Sequence, residues 1–156
     1  MGRLVTLDVL VSELAERRAA GKKVALANGV FDLLHVGHLR YLEGARELAD
    51  VLVVALNSDV SARALKGPGR PVVPQLERAE LLCALRCVDY VTLFDTGDVR
   101  PIIRALKPDV HVKGTDYRPE TIPEADEVLA YGGRVAVAGD PKDHSTTEQL
   151  KKLGRG

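Results

Sequence analysis

The amino-acid sequence predicts an α/β fold, in which a doubly wound five-stranded parallel sheet carries helices on both faces. Short apolar segments alternate with helical patterns five times along the chain, which is the order of elements in such a sheet. Residues 51–56 form a continuous apolar run, as is typical of a strand that helices cover on both sides. Together these observations indicate parallel strands joined by helical connections.

Each element follows from its local pattern. The predicted strands are residues 23–27, 51–56, 90–94, 110–112 and 134–137. The predicted helices are residues 7–20, 37–49, a short one ending near 65, 77–85, 99–107, 123–131 and 145–153. Thr6 caps the first helix and Gly21 ends it, and Pro101 is tolerated in the first turn of the fifth. Residues 66–71 are rich in Gly and Pro and are predicted to form a loop.

Length and composition limit the possible classes of protein. The 156 residues predict a single domain, 1–156, with a core at about 22–153 after an N-terminal helix within 1–21. Lys plus Arg and Asp plus Glu both number 22, so the balanced charge gives no general electrostatic reason to bind nucleic acid or anionic membrane. There is no apolar stretch of membrane-spanning length and no signal-peptide pattern.

The chain has two cysteines, Cys83 and Cys87, four residues apart in a helical segment. They are predicted to be buried thiols, because no other Cys or well-placed His completes a metal-ligand set. A disulfide or half of a metal site is the alternative. Together with the composition, this cysteine content predicts a cytoplasmic protein.

Two histidines lie at the first crossing from strand to helix. His35 and His38 enclose Gly37 in the pattern His-x-Gly-His, directly before the helical residues 39–49. A helix N-terminus offers free N–H groups and partial positive charge to an anion, and Gly37 lets a phosphate approach the backbone. Imidazolium rings and N–H groups can stabilise charge that builds on a phosphate in a transition state. The context therefore favours phosphate chemistry over two surface or packed histidines.

Other polar clusters also follow predicted strands: residues 57–70, 113–117 and 140–147. Because parallel sheets bind ligands beyond the carboxyl ends of their strands, we expect all of these clusters to meet at one edge. Each has an alternative interpretation that the residues alone leave open. Asn57 and Asp59 are helix caps or acceptor ligands, and Lys66 and Arg70 are solvated charges or phosphate ligands. Residues 145–147 begin the last helix, where capping and phosphate binding use the same end.

The segment Asn-Gly-Val-Phe-Asp-Leu-Leu-His-Val-Gly-His, residues 28–38, resembles the signature of the cytidylyltransferase-like nucleotidyltransferase superfamily. Further segments resemble the members that act on heptose phosphates: 40–43, 57–59, 65–72, 77–79, 112–117 and 145–147. The resemblance covers about residues 22–153. It implies a Rossmann-like nucleotidyltransferase fold.

The resemblance also implies a reaction. A sugar 1-phosphate, D-glycero-β-D-manno-heptose 1-phosphate, would attack the α-phosphorus of ATP, giving ADP-heptose and releasing pyrophosphate. Mg²⁺ would be held mainly by the triphosphate, so no protein metal site is expected. In bifunctional members this domain is fused to a sugar kinase, which 156 residues do not accommodate, so a stand-alone enzyme is expected, as a homodimer. The alternatives are a cytidylyltransferase acting on glycerol 3-phosphate or another small phosphorylated acceptor, and a non-catalytic nucleotide-binding regulator.

By matching positions, the resemblance assigns roles to individual residues. The expected catalytic residues are His35, His38 and Lys66. The expected nucleotide contacts are Phe31, Asp32, Gly37, Lys113, Gly114, Asp116, Ser145, Thr146 and Thr147, with Asp32 also close to the acceptor or the metal ion. The expected acceptor contacts are Asn57, Asp59 and Arg70. Arg78 is a secondary candidate for phosphate contact, and His111, inside a strand, is predicted to be a packed residue.

Overall fold

The computed structural model describes residues 1–141 and 146–154, and of Thr146 only the backbone is described. Six parallel strands form one sheet in the order β1-β4-β3-β2-β5-β6. This sheet confirms the predicted α/β class and corrects the predicted strand count from five to six. The strands are β1 (Arg3–Leu4), β2 (Val24–Gly29), β3 (Val51–Asn57), β4 (Tyr90–Phe94), β5 (Val110–Lys113) and β6 (Arg134–Val137).

The additional strand is the two-residue edge strand β1, in which Arg3 lies opposite Tyr90 of β4. Two residues are too few to produce a periodic pattern, so the sequence predicted only a helix in the first 21 residues. The close approach of the chain here is specific, because a Cβ on Gly2 would lie 2.7 Å from the carbonyl oxygen of Val88. Residue 2 therefore has to be glycine for β1 to reach the sheet edge.

The helices are α1 (Leu7–Ala19), α2 (Val36–Glu47), α3 (Asp59–Lys66), α4 (Gln75–Ala84), α5 (Arg100–Leu106), α6 (Ala125–Ala130) and α7 (Thr146–Lys152), with a short 3-10 turn at Pro119–Thr121. None of the helices within the described residues has the length and apolar character needed to cross a bilayer. The helix predicted at 123–131 begins two residues later, after its cap residue Glu124, whose carboxylate bonds to His111 and Lys113 and makes no capping hydrogen bond.

Helices cover both faces of the sheet, as the doubly wound prediction requires. On β2 the side chains of Ala25 and Ala27 pack against α2 and α4, whereas those of Val24 and Leu26 pack against α1, α5 and α6. This alternation follows from the two-residue period of a strand. Both cysteines are free thiols: Cys83 is buried, and the other, on the segment after α4, is half-buried.

The strand order reverses at β2. From β2 the sheet continues through β3 and β4 in one direction and through β5 and β6 in the other. Ligands of such sheets bind beyond the carboxyl ends of the strands at this point. The loop from β2 to α2, which carries the two histidines, starts there.

A fully buried arginine fixes the loops around this point. Arg78 of α4 donates from Nη1 to the carbonyl oxygens of Val30 (2.6 Å) and Asn57 (2.8 Å), and from Nε to that of Val73 (2.9 Å). Its Nη2 pairs with the carboxylate of Asp59 at 2.8 Å. The expectation that Arg78 contacts a substrate phosphate is therefore wrong, because the side chain is 0% exposed and all three nitrogens are engaged within the protein.

We predict that Arg78→Met lowers the free energy of unfolding by about 3–5 kcal/mol, since it leaves a carboxylate and three carbonyl oxygens without their buried donor. Urea denaturation measures this loss. Arg63→Met, which removes an exposed guanidinium from α3, is the matched control and should change stability by less than about 0.5 kcal/mol. Equal, small losses in both variants would contradict the structural role of Arg78.

Candidate active site

A cavity of about 720 Å³ lies at the carboxyl ends of β2, β3, β4 and β5. Its wall contains most of the residues for which the sequence predicted a role: Phe31, Asp32, His35, Gly37, His38, Asn57, Lys66, Arg70, Lys113, Gly114, Asp116 and Thr147. Among the described residues, Asp59 is the predicted contact that is not in this wall. Ser145 and the side chain of Thr146 lie outside the described part of the chain.

The two histidines form the N-terminal cap of α2. The Nδ1 atom of His35 accepts a hydrogen bond from the N–H of Gly37 (3.1 Å), and Nδ1 of His38 accepts from the N–H of His35 (3.4 Å). The N–H groups of His38 and Leu39 donate to the carbonyl oxygen of His35. The N–H groups of these first residues are thus used by the cap, so an anion at this terminus meets the imidazole rings rather than a row of free N–H groups.

The rings of His35 and His38 stack with their centroids 3.9 Å apart. Because Nδ1 accepts a hydrogen bond in each ring, the proton of each neutral imidazole is on Nε2. Burial lowers the pKa of His38 from 6.5 to about 4, and the ammonium of Lys66 and the charge that a protonated His35 would carry act in the same direction. At neutral pH the Nε2–H group of His38 is therefore a neutral hydrogen-bond donor.

The ring of Phe31 packs between the histidine pair and Tyr41. Its ring centroid lies 5.2 Å from that of His38 and 6.3 Å from that of Tyr41, against which it stacks. Its backbone has a φ of 47°, in the left-handed region that non-glycine residues seldom adopt. A Cβ on Gly29 would lie 3.0 Å from the Phe31 ring, so a larger residue there would require the ring to shift. Phe31 thus contacts the ring of His38 from a backbone conformation that is unfavourable for a residue other than glycine.

A buried carboxylate anchors the loop between α3 and α4. Asp32 accepts hydrogen bonds from Nε of Arg70 (2.7 Å) and from the N–H groups of Val72 (2.8 Å) and Val73 (3.0 Å). Burial alone would raise the pKa of Asp32, but the hydrogen bonds from Val73, Val72 and Arg70 hold it below its ordinary value of 3.8. Asp32 therefore acts as a loop anchor beside the cavity and presents Arg70 to it.

The side chains after β3 divide between the scaffold and the cavity. Ser58, not Asn57 or Asp59, caps α3, because its hydroxyl accepts from the N–H of Ser61 (3.3 Å). Asn57 lines the cavity and donates to the hydroxyl of Ser61 at 3.2 Å. Oδ1 of Asp59 accepts a hydrogen bond from Nη2 of Arg78.

The opposite wall is built by β5 and the segment after it. The ammonium of Lys113 donates to Oδ1 of Asn28 (3.2 Å), lies 3.1 Å from Oε1 of Glu124 and faces the ring of Tyr117. His111, predicted to be packed, is fully buried and contacts the same carboxylate at 2.7 Å. The sequence analysis missed Glu124, Asn28 and two wall residues at and beyond the end of β4, Phe94 and Gly97. Asn28 stands inside the signature segment, but no pattern in the sequence connects residue 124 to β5.

Within residues 1–141 and 146–154 there is no cluster of three or more His, Cys, Asp and Glu side chains able to hold a metal ion. Asp32, the wall carboxylate nearest the histidines in sequence, already accepts three donors.

The family model described as cytidylyltransferase-like matches residues 26–151. The chain belongs to the cytidylyltransferase-like family. Its members include nucleotidyltransferases, the class that a histidine pair lining a cavity at a β2–α2 crossing suits. The match begins within β2 and ends within α7, so it includes every strand from β2 onward.

Other cytidylyltransferase-like proteins are similar over nearly the whole chain. The bifunctional protein HldE of Syntrophotalea carbinolica is 50% identical over 94% of this chain, and that of Geobacter metallireducens is 46% identical over 98%. The chain spans only 29% and 31% of the length of these two relatives. A crystal structure of the lipopolysaccharide core biosynthesis protein from Thermoplasma volcanium superposes with a TM-score of 0.68 at 28% identity, covering 78% of this chain and 100% of that one.

We predict that Asp32→Asn lowers the free energy of unfolding by about 2 kcal/mol at pH 7. An amide has no negative charge to strengthen the hydrogen bonds from Arg70 and the loop N–H groups. The folded-state pKa of Asp32 is depressed, so its stabilising effect is present above 3.8 and is lost as the pH falls further. The difference between wild type and variant should therefore shrink below pH 4. Urea denaturation from pH 7 to pH 3 measures this, and a difference independent of pH would contradict it.

Proposed function

We propose that this protein transfers AMP from ATP to D-glycero-β-D-manno-heptose 1-phosphate, forming ADP-heptose and pyrophosphate. The observation that carries the proposal is the pair of Nε2–H donors of His35 and His38, fixed at the reversal point of the sheet in a cavity with cations on both sides. The residues that resemble heptose-phosphate enzymes, 65–72 and 112–117, form parts of opposite walls of that cavity. This distribution supports two substrates that meet at the histidines.

The two sides of the cavity suit different substrates. On the β5 side, Lys113, Gly114 and Asp116 suit a nucleotide, since a carboxylate and backbone groups can accept from and donate to a base or ribose. On the β3 side, Lys66 and Arg70 suit the phosphate of the acceptor. Nε of Arg70 is bonded to Asp32, which leaves its two terminal nitrogens as the donors for a phosphate.

In this mechanism the acceptor phosphate oxygen attacks the α-phosphorus in line with the departing pyrophosphate. The Nε2–H groups of His35 and His38 donate to the oxygens on which negative charge builds. A pKa of about 4 keeps His38 a neutral donor at physiological pH, so it stabilises charge without transferring a proton. Lys66 adds positive charge at the same place. The residues hold the reactants in line and stabilise the transition state, and no covalent enzyme intermediate forms.

Mg²⁺ would enter with ATP, coordinated by the triphosphate, and would neutralise part of its charge. The protein supplies cations and N–H donors in place of a carboxylate cage. We propose that the reaction takes place in the cytoplasm, where ATP is available. A homodimer stays a prediction of the resemblance.

The substrate proposal is tested by incubating the protein with ATP or CTP and with heptose 1-phosphate or glycerol 3-phosphate, and measuring pyrophosphate release. We expect turnover with ATP and the heptose phosphate. Turnover with CTP and glycerol 3-phosphate instead would make the protein a cytidylyltransferase. ATP binding without turnover on any phosphorylated acceptor would make it a nucleotide-binding regulator.

We predict that His38→Ala lowers kcat by about 10²–10³-fold, as the loss of one transition-state donor does, with a much smaller loss of ATP affinity. Steady-state kinetics and direct ATP titration measure the two quantities. Val36→Ala, which truncates the half-exposed apolar residue inside the same motif, is the control and should keep both. An equal loss of turnover and affinity in His38→Ala would mean that the ring only binds the nucleotide.

A further inference from the structure

Three ionisable side chains form a network behind the β5 wall. His111 and Lys113 are two residues apart on β5 and so lie on the same face of the sheet. Glu124 reaches them from the connection between β5 and α6. A single carboxylate oxygen, Oε1 of Glu124, lies 2.7 Å from Nε2 of His111 and 3.1 Å from Nζ of Lys113. The reaction proposed above uses Lys113 but gives no role to the other two.

The network is almost entirely removed from water. The exposed fractions of the side chains are 0% for His111, 6% for Glu124 and 12% for Lys113. Burying such charges costs several kcal/mol, and apolar residues of similar volume generally support a fold as well or better. Stability alone therefore does not explain why three ionisable groups occupy this position, whereas the placement of a charge at the cavity wall does.

His111 bonds only to the carboxylate. Nδ1 of His111 is one of the two buried side-chain polar atoms without a partner among the described residues. Burial alone would raise the pKa of Glu124, but the hydrogen bond from His111 and the charge of Lys113 lower it to about 2. The carboxylate is therefore ionised, and Nε2 of His111 donates to it. The one polar contact of the ring thus holds Glu124 in place.

Lys113 in turn connects the network to the cavity. Its ammonium donates to Oδ1 of Asn28 and lies 4.9 Å from the ring centroid of Tyr117. Lys113, Asn28 and Tyr117 all line the cavity, but His111 and Glu124 do not belong to its wall. The carboxylate therefore has no direct contact with a ligand in this cavity, and any effect on binding has to pass through Lys113.

We infer that Glu124 is a positioning residue that fixes the ammonium of Lys113 on the nucleotide side of the cavity, and that His111 positions Glu124. The inference rests on the proposed function only in taking the ligand beside Lys113 to be a nucleoside triphosphate. Without the carboxylate, the largely buried ammonium loses its counter-charge, and burial then favours a displaced or uncharged amine. The cation on the nucleotide side of the cavity is weakened, whereas the histidines that stabilise the transition state are unchanged.

The test is the affinity of the full chain for ATP with Mg²⁺, measured by isothermal titration calorimetry without any acceptor. We expect Glu124→Gln to weaken ATP binding about tenfold, the effect of losing one charge-assisted contact, while kcat at saturating ATP changes less than KM. Glu120→Gln, which neutralises an exposed carboxylate on the same connection, is the matched control and should bind ATP as the wild type does.

A double-mutant cycle separates positioning from a general loss of structure. If Glu124 acts through Lys113, Lys113→Met weakens ATP binding by itself, and adding Glu124→Gln in that background produces no further loss. Additive losses, or unchanged ATP affinity in folded Glu124→Gln, would overturn the inference. ATP binding without AMP transfer by the wild type would overturn the proposed function alone, and a wild type that binds no ATP would overturn both.

His111 provides a second test if Glu124→Gln does not fold. The side-chain amide of His111→Gln can donate to Glu124 in place of Nε2, whereas His111→Leu cannot donate. We expect the Gln variant to bind ATP more tightly than the Leu variant, with circular dichroism confirming that both are folded. Equal ATP affinity in the two variants would contradict the positioning role.

Discussion

Arg78 is the interaction on which the geometry of the site depends, because one buried guanidinium joins the ends of two neighbouring strands to the loop before α4, which belongs to no strand. It bonds to the chain just after β2, at the end of β3 and just before α4. Asp32 complements it with the opposite charge, holding the loop before α4 through Arg70 and two backbone N–H groups. Loops on this edge lack the regular hydrogen bonds of the sheet, so buried charges with several partners take over that function. The cavity has a defined shape because both ions are fully engaged.

The alternation of strands and helices could be predicted from the sequence because short, mainly apolar segments recur between helical patterns, most clearly at β3, where every residue is buried. The edge strand β1 was not predicted, since two residues make no pattern and their conformation comes from pairing with β4. The start of α6 was predicted two residues too early, at residue 123, whereas the helix begins after Glu124, whose carboxylate bonds to side chains of β5. Local propensity decides the centres of these elements, and tertiary contacts decide their ends.

The residues of the candidate site were largely predictable because they follow strands whose carboxyl ends share one edge. The side chains that these residues contact were not predictable. Asp59 and Asp32 look alike in sequence, as acids just after a strand, but one pairs with a buried arginine and the other anchors a loop. Only part of the network behind β5 has a sequence pattern. His111 and Lys113 share one face of a strand because they are two residues apart, but nothing near Glu124 in the sequence indicates that it contacts them. Ion pairs between residues distant in sequence depend on the path of the connecting loops, and hydrophobic periodicity does not predict that path.

The histidine cap of α2 has a consequence for how the site meets its ligands. The ring nitrogens that hold His35 and His38 against the backbone are Nδ1 atoms, different from the Nε2 atoms that the proposed mechanism uses. Folding of the helix thus removes the rotational freedom of both rings, and a ligand arriving later has no side-chain entropy to remove from them. The same hydrogen bonds hold the two rings in place for as long as the first turn of α2 is folded. Unfolding of that turn would therefore also remove the arrangement of the rings that the proposed reaction needs.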